Sequence, residues 1–133
     1  MIKLTELMDS NNIAGVFVVV KNKLLVLYNQ SGEMDIPKGH IKVNESPIEG
    51  AIRELEEETQ IKLQIEPKPL GVKQIKEGKK FYMYVFKTNT HYDVIVSDEH
   101  SSYEYIELSE LTKELRWIPT LNFLNDKLPG DLK

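Results

Sequence analysis

The chain has no cysteine. Disulfides and thiolate metal sites are therefore excluded. It also lacks any apolar run approaching membrane-spanning length, so no membrane partner is expected. Positive charge is not in excess: 17 Lys and Arg face 21 Asp and Glu, for a net charge of −4. A general electrostatic affinity for nucleic acid is not indicated, although a local basic patch stays open. Internal repeats and low-complexity segments are missing too. Residues 1–10 contain Glu6 and Asp9 and no long apolar region, so they do not read as a signal peptide, and a cytoplasmic location is the expectation.

What is present is ordinary for one globular domain over residues 1–133. Apolar residues make up 41% and charged residues 29%. That length suffices for a real core.

The stretch from Gly39 to Ile61 organises the rest. Ser46 and Glu49 have capping-box spacing and Pro47 takes the first helical position, so a helix starts there. Ile48, Ala51, Ile52, Leu55 and Thr59 follow helical spacing and mark the expected buried stripe. At about 100° per residue, Glu54, Glu57 and Glu58 fall on one arc away from it. Gly50 shares that arc, and Arg53 stands one turn before Glu57, where it can pair with it. Clustered carboxylates repel one another, and most charge runs are simply solvated faces. A hard-cation site explains the added glycine, the preceding loop and the lone arginine, because Mg²⁺ and Mn²⁺ prefer oxygen donors.

Around that stretch the pattern reads as follows. Residues 13–20 form a buried strand, residues 21–23 a turn, and residues 24–28 the returning strand of a hairpin. Residues 34–40 lead into the helix, with a turn at Pro37-Lys38-Gly39-His40. Residues 62–65 alternate like a short strand. Residues 70–76 and 79–88 form a second hairpin around Glu77-Gly78. In its second arm Tyr82, Tyr84 and Phe86 share a face, either packed inward or partly lining a ligand cleft. Residues 91–96 are extended, 97–102 a loop and 103–108 the last strand. Ser109 caps a short helix through Leu115, Trp117 and Ile118 bury beside it, and a final amphipathic helix spans 119–128. Strands, helix, strands and terminal helices predict an α/β or α+β layered domain with a mixed sheet between helices.

Gly39–Ile61 resembles the Nudix box: Gly, five residues, Glu, seven residues, then Arg-Glu-hydrophobic-any-Glu-Glu-any-Gly-hydrophobic. Gly39, Glu45, Arg53, Glu54, Leu55, Glu57, Glu58 and Ile61 match at that spacing. The one departure is Gln60, where the family has Gly. Either Gln60 takes the left-handed conformation at about 1 kcal/mol, or the helix ends differently. The resemblance implies an α/β/α sandwich and a hydrolase of phosphoanhydride bonds that uses Mg²⁺ or Mn²⁺. It implies Glu57 and Glu58 as main metal ligands, Glu54 as ligand or general base, and the Lys38 carbonyl as a further ligand. Arg53 would orient Glu57 or Glu54, and Glu45 would be structural or a helper. Glu99 is the candidate for a carboxylate outside the box.

The implied substrate is a nucleoside diphosphate linked to another moiety. Pro37-Lys38-Gly39-His40 is similar to a segment of diadenosine polyphosphate hydrolases, as is Glu99-His100-Ser-Ser-Tyr103. Lys79 or Lys80 followed by Tyr84 resembles their phosphate-contacting lysine and base-stacking tyrosine, although Met34 stands where a tryptophan is often found. Lys38, Gly39, His40, Lys79, Lys80, Tyr84 and Tyr103 are thus the candidate substrate contacts, with a dinucleoside polyphosphate such as diadenosine tetraphosphate as the leading partner. The alternatives are a nucleoside triphosphate pyrophosphatase, an RNA 5′-pyrophosphohydrolase, which the acidic net charge disfavours, and a non-catalytic nucleotide-binding module, which the full set of box carboxylates disfavours.

Overall fold

The computed structural model describes residues 9–111. The helices expected beyond Leu111, with Trp117 and Ile118, lie outside the described residues. So does the second helical layer of the expected sandwich.

Strand β1 (Asp9–Val20) is the axis of a seven-stranded mixed sheet. Its Ile13–Val20 run is buried throughout because both faces and both edges are covered. Ile13, Phe17 and Val19 enter one core cluster, and Ala14, Val16, Val18 and Val20 enter the other. Lys21 and Asn22, at φ 49° and 68°, make the expected tight turn into β2 (Lys23–Asn29).

Residues 34–42 form two strands rather than a lead-in with a turn: β3 (Met34–Asp35) and β4 (Lys38–Lys42). β4 runs antiparallel to the first half of β1, with Gly39 opposite Ala14 and Lys38 opposite Gly15. Gly15 permits this approach, since a Cβ there would lie 2.9 Å from the Lys38 Cβ. The same edge of β1 thus carries β4 over its first half and β2 at Val19–Val20.

Helix α1 (Pro47–Thr59) has the expected capping box at Ser46 and Glu49. Its acidic arc, however, is not all turned to solvent. Glu58 is 6% exposed, while Ile52, expected inside, is only half-buried. The buried stripe is Gly50, Ala51, Leu55, Glu58 and Thr59. Gln60 ends the helix in the left-handed conformation, at φ 62° and ψ 17°, and its N–H donates to the Glu56 carbonyl at 2.8 Å.

Residues 62–65 do not form a strand. The chain after Ile61 finds no ladder partner before β5 (Lys68–Lys76), which pairs with β6 (Lys79–Thr88) around Gly78. β6 lies parallel to β1 over Ile13–Val20. Residues 91–96 are extended without a ladder, tied to α1 by the Ile95 N–H donating to the Thr59 carbonyl at 3.1 Å. β7 (His100–Glu107) runs antiparallel to β2, placing His100 opposite Asn29. A 3₁₀ turn follows at Leu108–Glu110, flanked by Glu107 with no side-chain cap, so Ser109 lies inside it rather than capping it.

Ala51 and Leu55 of α1 pack on the Ala14–Val16–Val18 face of β1. Leu108 and Leu111 pack on the other, with Phe17, Phe81 and Met83. Each of the larger of these side chains stabilises the fold by about 1.5–3 kcal/mol, and Ala51 by less. The structure is the expected α+β fold with a mixed sheet.

Candidate active site

The site forms where α1 crosses β4 and the start of β7 arrives beside them. Gly39 lies on the α1 side of β4, in register with Ala14. A Cβ there would collide with the Glu54 carboxylate. The glycine therefore lets the helix bring that carboxylate onto the strand.

Arg53 fixes the carboxylates on this side. Its five N–H donors meet five acceptors. Nε and Nη2 donate to Glu45 at 2.8 and 3.0 Å, and Nη1 to Glu54 at 2.9 Å and Glu57 at 3.1 Å. Nη2 also donates to the His40 carbonyl at 2.8 Å. Glu45 accepts the Lys42 N–H at 3.0 Å as well. Burial works against the charge of Glu45, but the Arg53 bonds and the Lys42 amide outweigh it and hold its carboxyl below the usual range. The hydrogen bonds to Glu45 are the main reason the guanidinium is held more firmly charged than an ordinary arginine.

Glu54 and Glu58 behave differently. Burial is the main cause that raises Glu54; the Arg53 bonds pull it back, and the charges of Glu57 and Glu99 add to the rise. Burial likewise pushes Glu58 up to about 8, with Glu54 and Glu99 adding to it and the Lys38 amide opposing it. The Lys38 N–H donates to Glu58 Oε1 at 3.0 Å. No described residue donates to Glu58 Oε2. An almost fully buried carboxylate with one oxygen unsatisfied is costly unless a cation completes it.

Glu99 and His100 lie beside the Glu58 carboxylate. Ligand atoms of Glu58, Glu99 and His100 all lie within 4.8 Å of one another. Glu99 is exposed, and no described residue donates a hydrogen bond to its carboxylate. Burial lowers the pKa of the His100 imidazole, disfavouring its charged form. This donor set, two carboxylates and an imidazole with Glu54 adjacent, fits a divalent cation. His100 was missing from the candidate residues. Its sequence signal is its place in the Glu99-His100-Ser-Ser-Tyr103 segment, which assigns it no role, and the β2–β7 pairing that delivers it joins residues about seventy apart.

The remaining candidates are spread more widely. Glu57 is exposed and points to the Arg53 side, on the wall of an open groove of about 830 Å³ between Glu49 and Lys62. The Lys38 ammonium pairs with Asp35 at 3.4 Å. His40 is exposed and, by strand alternation, faces away from α1. Lys80 shares the α1 face with Tyr82, whereas Lys79 lies on the other. Tyr84 is 9% exposed and packed with the core of that face. Tyr103 and Tyr105 lie on the α1 side of β7, in register with Leu27 and Leu25. Their rings meet edge-on at 6.2 Å, and His91 lies 4.3 Å from Tyr105. The Tyr105 hydroxyl donates to the Tyr92 carbonyl at 2.9 Å, and burial pushes it up to about 12.

Among the described residues, no helix is long and apolar enough to cross a membrane. No curated protein matches the chain. Several solved structures do. An Ap4A hydrolase of C. elegans in a binary complex has a TM-score of 0.71 at 23% identity, over 86% of this chain and 93% of that one. The dihydroneopterin triphosphate pyrophosphohydrolase of E. coli has a TM-score of 0.75 at 12% identity, over 89% and 94%. The MutT protein of Methanosarcina mazei Go1 has a TM-score of 0.69 at 25% identity, over 86% and 90%. A family model described as NUDIX domain matches residues 11–126. The chain therefore belongs to the NUDIX domain family and is a pyrophosphohydrolase acting on phosphoanhydride bonds.

Proposed function

We propose that the chain hydrolyses a dinucleoside polyphosphate, such as diadenosine tetraphosphate, with Mg²⁺ or Mn²⁺ bound between Glu58 and Glu99. One observation carries this reading: the carboxylate cluster and an aromatic shelf lie along the same face of β7. His100 to Tyr103 spans about 10 Å of strand and His100 to Tyr105 about 17 Å. A nucleotide of that length would set its base on Tyr103 and Tyr105 and an inner phosphate at the cluster. The fold likeness to the C. elegans Ap4A hydrolase points the same way.

The residues divide the work as follows. Glu58 and Glu99 would hold the cation, with the Lys38 carbonyl as a further candidate ligand and Glu57 extending the acidic face. When bound there, a divalent ion would neutralise phosphate charge and lower the pKa of a bound water. Glu54, held by Arg53, takes the proton from the attacking water, and the phosphoanhydride P–O bond breaks with its electron pair leaving on the departing phosphate. Lys38 and Lys80 supply cationic groups for the remaining phosphates, while His40, on the other face of β4, contributes only its backbone. Tyr84 supports the aromatic side from within the core.

The test is a product assay with diadenosine tetraphosphate, nucleoside triphosphates and a 5′-triphosphorylated RNA, each with and without metal. ATP plus AMP from the dinucleotide is the expected result. Monophosphate and pyrophosphate from triphosphates, or pyrophosphate from RNA, would replace the substrate assignment. Glu58→Gln is expected to lower metal-dependent turnover by more than the roughly ten- to hundredfold of an outer-shell loss. Its circular dichroism should stay unchanged, and undiminished turnover would overturn the role of Glu58.

A further inference from the structure

We propose that His100 is itself a ligand of the bound cation and makes the site select Mn²⁺ over Mg²⁺. This rests on the reading above, in which Glu58 and Glu99 hold that cation.

Three observations place the imidazole in the ligand shell. First, a ring nitrogen lies within 4.8 Å of carboxylate oxygens of both Glu58 and Glu99. Three donors around one cation with bonds of about 2.1 Å are about 3.0–4.2 Å apart, so side-chain rotations of about an ångström close the site. Second, the buried Glu58 Oε2 lacks a donor among the described residues, and so does the Glu99 carboxylate. Third, the ring is held from behind. The His100 backbone N–H donates to the Ser97 carbonyl at 3.0 Å, which fixes the backbone that carries the ring, and Ser97 Oγ lies 3.5 Å from His100 Nδ1. A ligating imidazole commonly has one nitrogen so engaged while the other binds the metal.

The consequence is selectivity. Mg²⁺ demands an oxygen shell and keeps its waters. Imidazole suits the first-row transition ions, whose affinity for a nitrogen-containing site rises from Mn²⁺ onward. A shell of carboxylates alone would discriminate weakly between Mg²⁺ and Mn²⁺. Replacing one oxygen by nitrogen tilts it to Mn²⁺.

The experiment combines Mn²⁺ and Mg²⁺ titration calorimetry with electron spin-echo envelope modulation of the Mn²⁺ complex, on the wild-type chain, His100→Ala, His100→Gln and Glu58→Gln. Expected are ¹⁴N modulation in the wild type, its loss in both His100 variants, and a Mn²⁺ affinity loss on the order of tenfold in them. Mg²⁺ affinity should change by less than about threefold, which also shows that the variants remain folded. Mn²⁺ binding to the wild type without ¹⁴N modulation would overturn the proposal while sparing the carboxylate site. Absence of any divalent binding to the wild type would overturn both. Unaltered Mn²⁺ affinity in both His100 variants would likewise refute the ligand role.

Discussion

Arg53 and Gly39 act on the same carboxylate from opposite sides. Arg53 holds Glu54 by an Nη1 hydrogen bond at 2.9 Å, and Gly39 leaves the space that the carboxylate fills. A methyl group at Gly39 would meet only the end of a side chain, so the backbone has no reason to move. Gly39→Ala is therefore expected to displace the Glu54 carboxylate, lowering turnover on the order of tenfold or more while changing stability by less than about 1 kcal/mol. The same substitution made in Glu54→Ala should cost nothing further, because the two then share one effect. Kinetics on the four proteins of that cycle decide the matter, and additive losses would place the role of Gly39 elsewhere. Glu58 carries the opposite lesson about what a sequence can show. Its helical position put it on an acidic, solvent-facing arc, yet it is buried. Its burial follows from the Lys38 amide and the arrival of Glu99 and His100, contacts that no local pattern encodes.

At the scale of elements, α1 was legible because its signals are local. The Ser46–Glu49 capping box and the Ala51–Leu55 spacing need nothing from the rest of the chain. The two hairpins were legible for the same reason. β4 was not, because Pro37-Lys38-Gly39-His40 has the composition of a turn and becomes a strand only through pairing with β1 across Gly15. Residues 62–65 show the converse, an alternating pattern with no ladder to join. The end of α1 remains suboptimal. Gln60 takes φ 62°, where a side chain costs about 1–2 kcal/mol, and glycine returns part of that gain through its freer unfolded chain. Gln60→Gly is expected to stabilise the protein by about 0.5–1 kcal/mol, or roughly 2–4 °C in Tm. Thermal unfolding checks this, and an unchanged or lower Tm would mean that Gln60 makes a compensating contact.

Across the whole molecule the charge is segregated. The chain has a net charge of −4, yet residues 62–87 hold seven lysines against two glutamates, a local +5. Most of that segment is the β5–β6 hairpin, at whose outer edge the lysines, Pro69 and two register shifts also discourage edge-to-edge pairing. β6 lies two strand spacings, about 10 Å, from β4, across β1. That is close to the screening length at physiological salt. The basic hairpin and the carboxylate cluster thus act on a polyphosphate from neighbouring parts of one sheet, the first attracting it and the second accepting it only with a cation. Raising ionic strength at fixed free metal should then lower kcat/KM through KM, with kcat nearly constant. Lys68 and Lys76 are exposed and outside the carboxylate cluster. Lys68→Gln with Lys76→Gln should flatten that salt dependence while leaving kcat within about twofold, since the lost field acts on encounter rather than on the bound substrate. Steady-state kinetics over a salt series measure both slopes. An identical slope in the double variant would assign the attraction to residues at the site itself, and a rise of kcat/KM with salt would mean that repulsion by the acidic cluster dominates the approach.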